Sequence, residues 1–288
     1  MKSNFLKFPI AFLLLAAVMV LSCKKDYVDP NAAGEEEVFK SVKGLTGVTV
    51  GLQRTYTLGR ASSIYNTITV NGLLTNELFV VNAGNTSELL LEQGGTAVDP
   101  ANPIIATFWS SNNKVIYEAE KVIENAANLA DKNYASGLIA YASIFKALSL
   151  GNLAQNWEKI PDSIGLNVGF VSNIDGYKKA VTVLNNALAT VAANAISSSF
   201  TANVPAGIDV VNSLNALKAR YSLFAGDYPA ALTAANAVDL TKKSVFSFDG
   251  LSLNPVFETA TSTNNVVQVK DSTLGLPPAL APNLSDAC

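Results

Sequence analysis

The sequence predicts a mostly α-helical fold, built of antiparallel helix pairs that pack side by side into an α-α superhelix and carry long irregular loops. Three observations point there. Apolar residues recur at helical spacing through much of the chain, which marks helices that bury one stripe. The breaks between the clearest stripes are short, which makes those helices antiparallel neighbours. Alanine is abundant and aromatics make up only 8% of the 288 residues, a composition that suits close helix packing better than a β-sandwich.

The clearest pair is residues 213–238, SLNALKARYSLFAGDYPAALTAANAV. Leu214, Leu217, Tyr221 and Phe224 form one stripe. Ala225-Gly226-Asp227 interrupts it as a tight helix–helix turn does. Tyr228, Ala231, Leu232, Ala235 and Val238 form a second stripe, and small residues there let the helices lie close. The spacing of Gly226, Tyr228 and Ala231 is tetratricopeptide-like. One such hairpin cannot bury its own stripes, so the rest of the chain must supply more helices.

From the amino terminus, Lys2 and Lys7 flank the start of an apolar run over residues 8–21. That is the shape of a secretory signal, too short for a comfortable membrane span. Val20-Leu21-Ser22-Cys23 resembles a bacterial lipobox. The resemblance implies cleavage before Cys23, acylation of that cysteine and attachment to a membrane through the lipid. Residues 1–22 are thus read as the lipoprotein signal and 23–37 as a polar tether. Lys24 and Lys25 are not the aspartate that retains lipoproteins at the inner membrane, which favours the outer membrane.

A helical-repeat domain is expected over residues 38–275. Val38, Val42, Leu45, Leu52 and Tyr56 fit one helical face, with Gly44, Gly47 and Gly51 weakening it or allowing close approach. Residues 62–74 are open to two readings, since Ile68-Thr69-Val70 would also suit a strand; the favoured one is a helix ending near Thr75-Asn76-Glu77. Residues 80–102 hold Gly84, Gly94, Gly95, Pro100 and Pro103 follows, so this stretch reads as a long loop of the kind that often carries function. Glu88 and Glu92 within it read as a solvated pair. Ile116, Ala119, Ile123, Ala126 and Ala130 make the next stripe, and Leu138, Tyr141, Ala142, Phe145 and Leu148 the one after. The chain is expected to leave that helix at Gly151. Asp175 is read as the cap of a helix carrying Tyr177, Val181, Leu184, Leu188 and Val191. Residues 197–208 read as a polar linker. Beyond Asp239 the helical pattern stops, with a brief strand at 266–269 and a proline-rich tail at 276–288.

The chain contains no histidine. That removes Ser–His–Asp and Cys–His nucleophile chemistry and the usual zinc and non-haem iron sites. Cys23 and Cys288 stand near opposite ends and imply no disulfide framework. There is no GxGxxG, P-loop, HExxH or EF-hand loop, so neither cofactor nor metal is expected. A net charge of -3 gives no reason to expect nucleic acid as a partner. The candidate ligand-binding residues are Trp109, beside Asn112 and Asn113, and Trp157, beside Gln155 and Asn156. An indole face stacks on the apolar face of a sugar ring while a neighbouring amide bonds its hydroxyls. Core packing is the competing reading for both tryptophans.

Several of these features together resemble the SusD/RagB family of outer-membrane nutrient-binding lipoproteins. They are the lipobox ending at Cys23, the helix over 38–56, and Thr75-Asn76-Glu77, which is similar to the family's Thr-Asp-Glu. The Gly151…Pro161 exit after the helix over 140–151 and the Ala-Gly-Asp-Tyr hairpin complete the set. The resemblance implies a core of tetratricopeptide-like pairs and no catalysis. It implies a lipid-anchored, surface-exposed receptor that binds glycan or other oligomeric nutrients and passes them to a SusC-like TonB-dependent transporter. Ligand contacts in such proteins come from loops, which points to residues 80–109. Typical members are much longer, so the chain is read as a short relative or as a member truncated at the proline-rich tail. The alternative is a helical-repeat scaffold of the envelope that binds only proteins. An envelope enzyme using paired carboxylates is the least supported reading.

Overall fold

The computed structural model describes residues 34–263 and 265–271. The signal segment, Cys23, most of the tether and the proline-rich tail lie outside them. The chain divides into residues 1–38 and 39–288. Of the first unit, residues 34–38 are described, and they begin α1 (Glu35–Lys40).

The second unit is helical almost throughout. α2 (Val42–Thr57) starts where the Ser41 hydroxyl accepts a bond from the Gly44 amide at 3.0 Å, the side-chain capping that an exposed helix end needs. It buries Leu45, Leu52 and Tyr56, as the spacing predicts, but the break at Ser41 puts Val38 in α1 and leaves Val42 45% exposed. Gly47 and Gly51 do not serve close packing, since a methyl group at either would meet nothing within 4 Å. α3 (Ser63–Leu74) is capped by Ser62 and ends at Thr75, where a helix end was expected.

The predicted loop over 80–102 is in part helical. β1 (Leu78–Val80) leads to α4 (Thr86–Gln93). Leu91 is fully buried there and Glu88 is 1% exposed, so Glu88 does not lie on a solvated face. Its carboxylate is held by the Arg60 guanidinium, which also donates to Asn85 at 3.1 Å. Glu92 accepts a bond from the Val80 amide at 2.8 Å. The glycines on either side masked a helix of only two turns.

α5 (Pro103–Ala126) opens with proline at its first position, where no amide hydrogen is needed, and with an Asn102 cap. α6 (Lys132–Asn156) is capped by Asp131, which accepts from the Asn133 and Tyr134 amides at 3.1 and 2.9 Å. α6 is the axis of the fold, packing against α2, α5 and α7 (Asn173–Ala193). By length and composition it could cross a membrane, but 83% of its apolar window is buried by the protein, so it is the core helix. It does not end at Gly151. It continues for more than a turn, and Gly151 is where a neighbour lies on it: a Cβ there would sit 2.3 Å from the ring of Tyr221. The glycine that read as an exit is a contact point inside the helix.

β2 (Lys159–Pro161) and β3 (Phe170–Ser172) form an antiparallel hairpin before α7. The cap of α7 is Ser172 and not Asp175. The Ser172 hydroxyl accepts from the Asp175 amide at 3.1 Å and donates to its carboxylate at 2.8 Å, a reciprocal capping pair. The expected linker over 197–208 contains a single turn, α8 (Ser198–Thr201), which buries Phe200 completely against α6.

α9 (Val210–Phe224) and α10 (Tyr228–Asn236) form the predicted hairpin, turning at Gly226 with φ 80°. α9 packs on both α6 and α7 and buries Leu214 and Tyr221. α10 departs from the prediction: Ala231 and Ala234 are buried, while Tyr228 and Leu232 are 66% and 65% exposed. A short helix, α11 (Pro255–Thr261), follows where none was expected, started by the Asn254 cap. β4 (Val267–Val269) pairs antiparallel with β1, Leu78 opposite Val269. Eleven α-helices and two small sheets thus make up the described residues, and the antiparallel pairs stack as a superhelix.

Two cores result. The larger runs through α2, α5, α6, α7 and α9 and includes Leu52, Phe145, Leu153, Leu184 and Leu214. The smaller joins Val70 and Leu73 of α3 to Leu91, Phe108, Val266 and Val267. Each such fully buried aliphatic or aromatic side chain contributes about 1.5–3 kcal/mol.

Candidate functional site

α5 and α6 run antiparallel, and their facing surfaces, with the hairpin after α6 and with α7, enclose a groove. On α5, Asn113, Ile116 and Glu120 line it. On α6, Lys146, Leu150 and Leu153 do so. The hairpin after α6 supplies Pro161, Asp162, Ser163 and Ile164, and α7 supplies Lys179, Thr182 and Val183. The cavity is about 240 Å³ in volume. Its floor is apolar, and its rim carries two amines, two carboxylates, one amide and two hydroxyls.

Neither tryptophan lines the cavity, but both lie in sequence close to residues that do, at the start of α5 and just past the end of α6. Trp109 is four residues before Asn113, and Trp157 four after Leu153. The positions 109, 113, 116 and 120 share one face of α5, and 146, 150 and 153 one face of α6, with Trp157 the extended residue just past its end. From Trp109 to Glu120 this face extends about 16 Å. The two indoles meet edge to face, with centroids 5.1 Å apart and planes at 68°. Trp157 also leans on Phe108 at 5.4 Å and touches both cores. Both indoles are half-buried. Residues 48 apart in sequence, each a candidate with a packing alternative, thus meet as one aromatic pair that also packs against the cores.

Asn112 is placed differently. It is fully buried, and its amide donates to the Phe108 carbonyl at 2.7 Å. Its oxygen accepts from Asn152, whose amide also donates to the Tyr56 hydroxyl at 3.1 Å. Burial pushes that hydroxyl up to about 12. Nearby, the Tyr141 hydroxyl donates to Gln53, and burial raises its pKa too. These bonds tie α2, α5 and α6 together, so Asn112 holds helices in register and does not reach the groove. Of the amides beside Trp109, the neighbouring Asn113 faces the groove, and it donates to the Trp109 carbonyl at 2.9 Å. Beside Trp157, Asn156 donates to the Asn152 carbonyl at 2.9 Å and Gln155 is exposed.

The charged rim escaped the sequence reading. Lys146 reaches Glu120 across the helix pair at 3.4 Å. Lys179 holds both the carboxylate and the carbonyl of Asp162, pinning the hairpin to α7. The partners are 26 and 17 residues apart, so no local motif announces them. The signal that was available is the period of the α5 face.

Two solved structures share this architecture. One is a SusD-like carbohydrate binding protein from Bacteroides fragilis, with TM-score 0.55 and 16% identity over 70% of this chain and 40% of that one. The other is a SusD superfamily protein from Bacteroides vulgatus, with TM-score 0.53 and 10% identity over 77% of this chain and 48% of that one. This chain has the SusD-like fold. It spans less than half the length of either SusD-like structure. No family model and no curated protein matches the sequence.

Proposed function

We propose that this protein binds a glycan in the groove between α5 and α6 and releases it unchanged. The observation that carries the reading is the meeting of Trp109 and Trp157, with Trp109 one helical turn from Asn113 in the lining of a groove that mixes apolar and polar side chains. Sugar rings present one apolar face and a belt of hydroxyls, and such a surface answers both. Support also comes from the SusD-like fold, which a protein described as carbohydrate binding shares. With the lipobox at Cys23, the reading extends to a lipid-anchored protein of the outer membrane. It would hand its ligand to a SusC-like TonB-dependent transporter.

The test is a fluorescence titration with a panel of soluble oligosaccharides. The sequence holds two tryptophans, and they are the touching pair, so emission reports that pair directly. A saturable change with at least one glycan, no product on prolonged incubation, and its loss in Trp109→Ala are expected. A flat titration with every glycan would sink the reading. For the wider role, the tagged full chain is extracted in mild detergent, and a β-barrel transporter should co-purify in stoichiometric amount. Replacing Cys23 with alanine should release the protein from membranes.

A second reading, an envelope scaffold that binds only proteins, is favoured by one feature. Leu223, Phe224, Tyr228 and Leu232 are all at least 40% exposed around the α9–α10 turn. Exposed apolar clusters of this kind mark protein contacts. Partner capture without any glycan response would select it.

A further inference from the structure

We propose that the groove selects uncharged oligosaccharides and rejects anionic ones, because each charge on its rim already has its counter-charge there. The inference rests on the glycan reading above and adds the class of glycan. Four charged side chains line the groove: Glu120, Lys146, Asp162 and Lys179. They form two cross-element pairs, Lys146 with Glu120 at 3.4 Å and Lys179 with Asp162. Neither is a pair of neighbours on one helix surface. Lys146 is only 16% exposed along its side chain, so its amine is committed to the α5 wall.

A uronate or sulfate ester entering this groove needs a cation to offset the water it sheds. Here each lysine's attraction is cancelled by the acid beside it, and Glu120 and Asp162 repel the incoming charge. A neutral sugar meets no such cost. Its hydroxyls donate to the carboxylates and accept from the amines without changing the net charge of either pair. Asn113, Ser163 and Thr182 add uncharged polar partners on the same rim. Selection thus comes from a repulsive element as much as from an attractive one.

The experiment uses the full chain and two sets of probes at low and high ionic strength. One set is neutral hexasaccharides of glucose, xylose and mannose, and the other is the hexamer of galacturonic acid. The wild-type protein should bind at least one neutral hexamer, insensitively to salt, and the galacturonate hexamer at least about tenfold more weakly. Glu120→Gln keeps the shape of the side chain and frees the charge of Lys146. It should raise the galacturonate-to-neutral affinity ratio about tenfold, in a salt-sensitive manner. Asp162→Asn should do the same through Lys179, so a folding defect in one variant does not leave the question open. Wild-type protein that binds galacturonate as well as any neutral hexamer overturns the inference and leaves the glycan reading standing. So does an unchanged ratio in both folded variants. Absence of binding by every probe overturns the glycan reading and this inference with it.

Discussion

Trp109, at the level of one residue, offers a half-buried indole braced by a second indole. Truncation to alanine removes the outer ring and leaves Trp157 on Phe108, so the fold should survive. Glycan affinity should fall about tenfold or more, near 1.4 kcal/mol, by titration of the remaining tryptophan. Arg60 and Glu88 make a different kind of pair. Glu88 is 1% exposed, and removing its partner strands a buried carboxylate. Arg60→Met should cost about 2 kcal/mol in denaturant unfolding, below the range for enclosed pairs because the guanidinium is 38% exposed. Asp175 sets a pH response. Its bond from the Ser172 hydroxyl, then those from Lys178, hold its carboxyl below the ordinary aspartate range. A depressed folded pKa means the unfolded chain binds the proton more readily. The stabilisation is therefore present above the ordinary aspartate pKa and is lost as pH falls through the folded one. Asp175→Asn should flatten that part of the acid limb in thermal melts.

At the level of elements, helices were legible wherever one stripe met one core. α2, α5, α7 and α9 follow from spacing because each buries one main face, whereas α3, whose buried residues Tyr65, Asn66, Thr69, Val70 and Leu73 are mixed, could equally be read in part as a strand. α4 and α8 did not, because they are one or two turns long and sit among glycines or serines. Their evidence is a single buried residue, Leu91 or Phe200, whose partner lies far away in sequence. The end of α6 was misplaced for a related reason. Gly151 weakens a helix in isolation, but here it makes room for Tyr221, and tertiary packing overrides propensity. Gly151→Ala should drive a methyl into that ring and lower stability by about 2 kcal/mol, read as a fall in melting temperature of several degrees. The groove was half legible. The tryptophans beside it were visible as rare residues. Its paired charges were hidden, because convergence of α5, α6, the hairpin and α7 is a property of the folded chain alone.

At the level of the whole molecule, the helix pairs stack until α9 and α10, where the outer surface stays apolar. Tyr228→Ser with Leu232→Ser should leave circular dichroism unchanged, since both side chains are about two-thirds exposed. The double variant should also reduce self-association or partner capture, measured by light scattering and co-purification. α6 gives the molecule a hierarchy in time. A helix wrapped by neighbours on all sides exchanges its amide hydrogens only when everything around it has come apart. Of the β2–β3 hairpin, Ile160 is fully buried in the larger core, whereas the tip between the strands leaves Leu166 95% exposed and has fewer contacts to break. Deuterium uptake should therefore be slowest along α6 and fast at residues 162–169, and a bound ligand should slow the second without touching the first. The groove thus sets a slow wall against a faster tip, and its occupancy should be readable in the exchange of that tip alone.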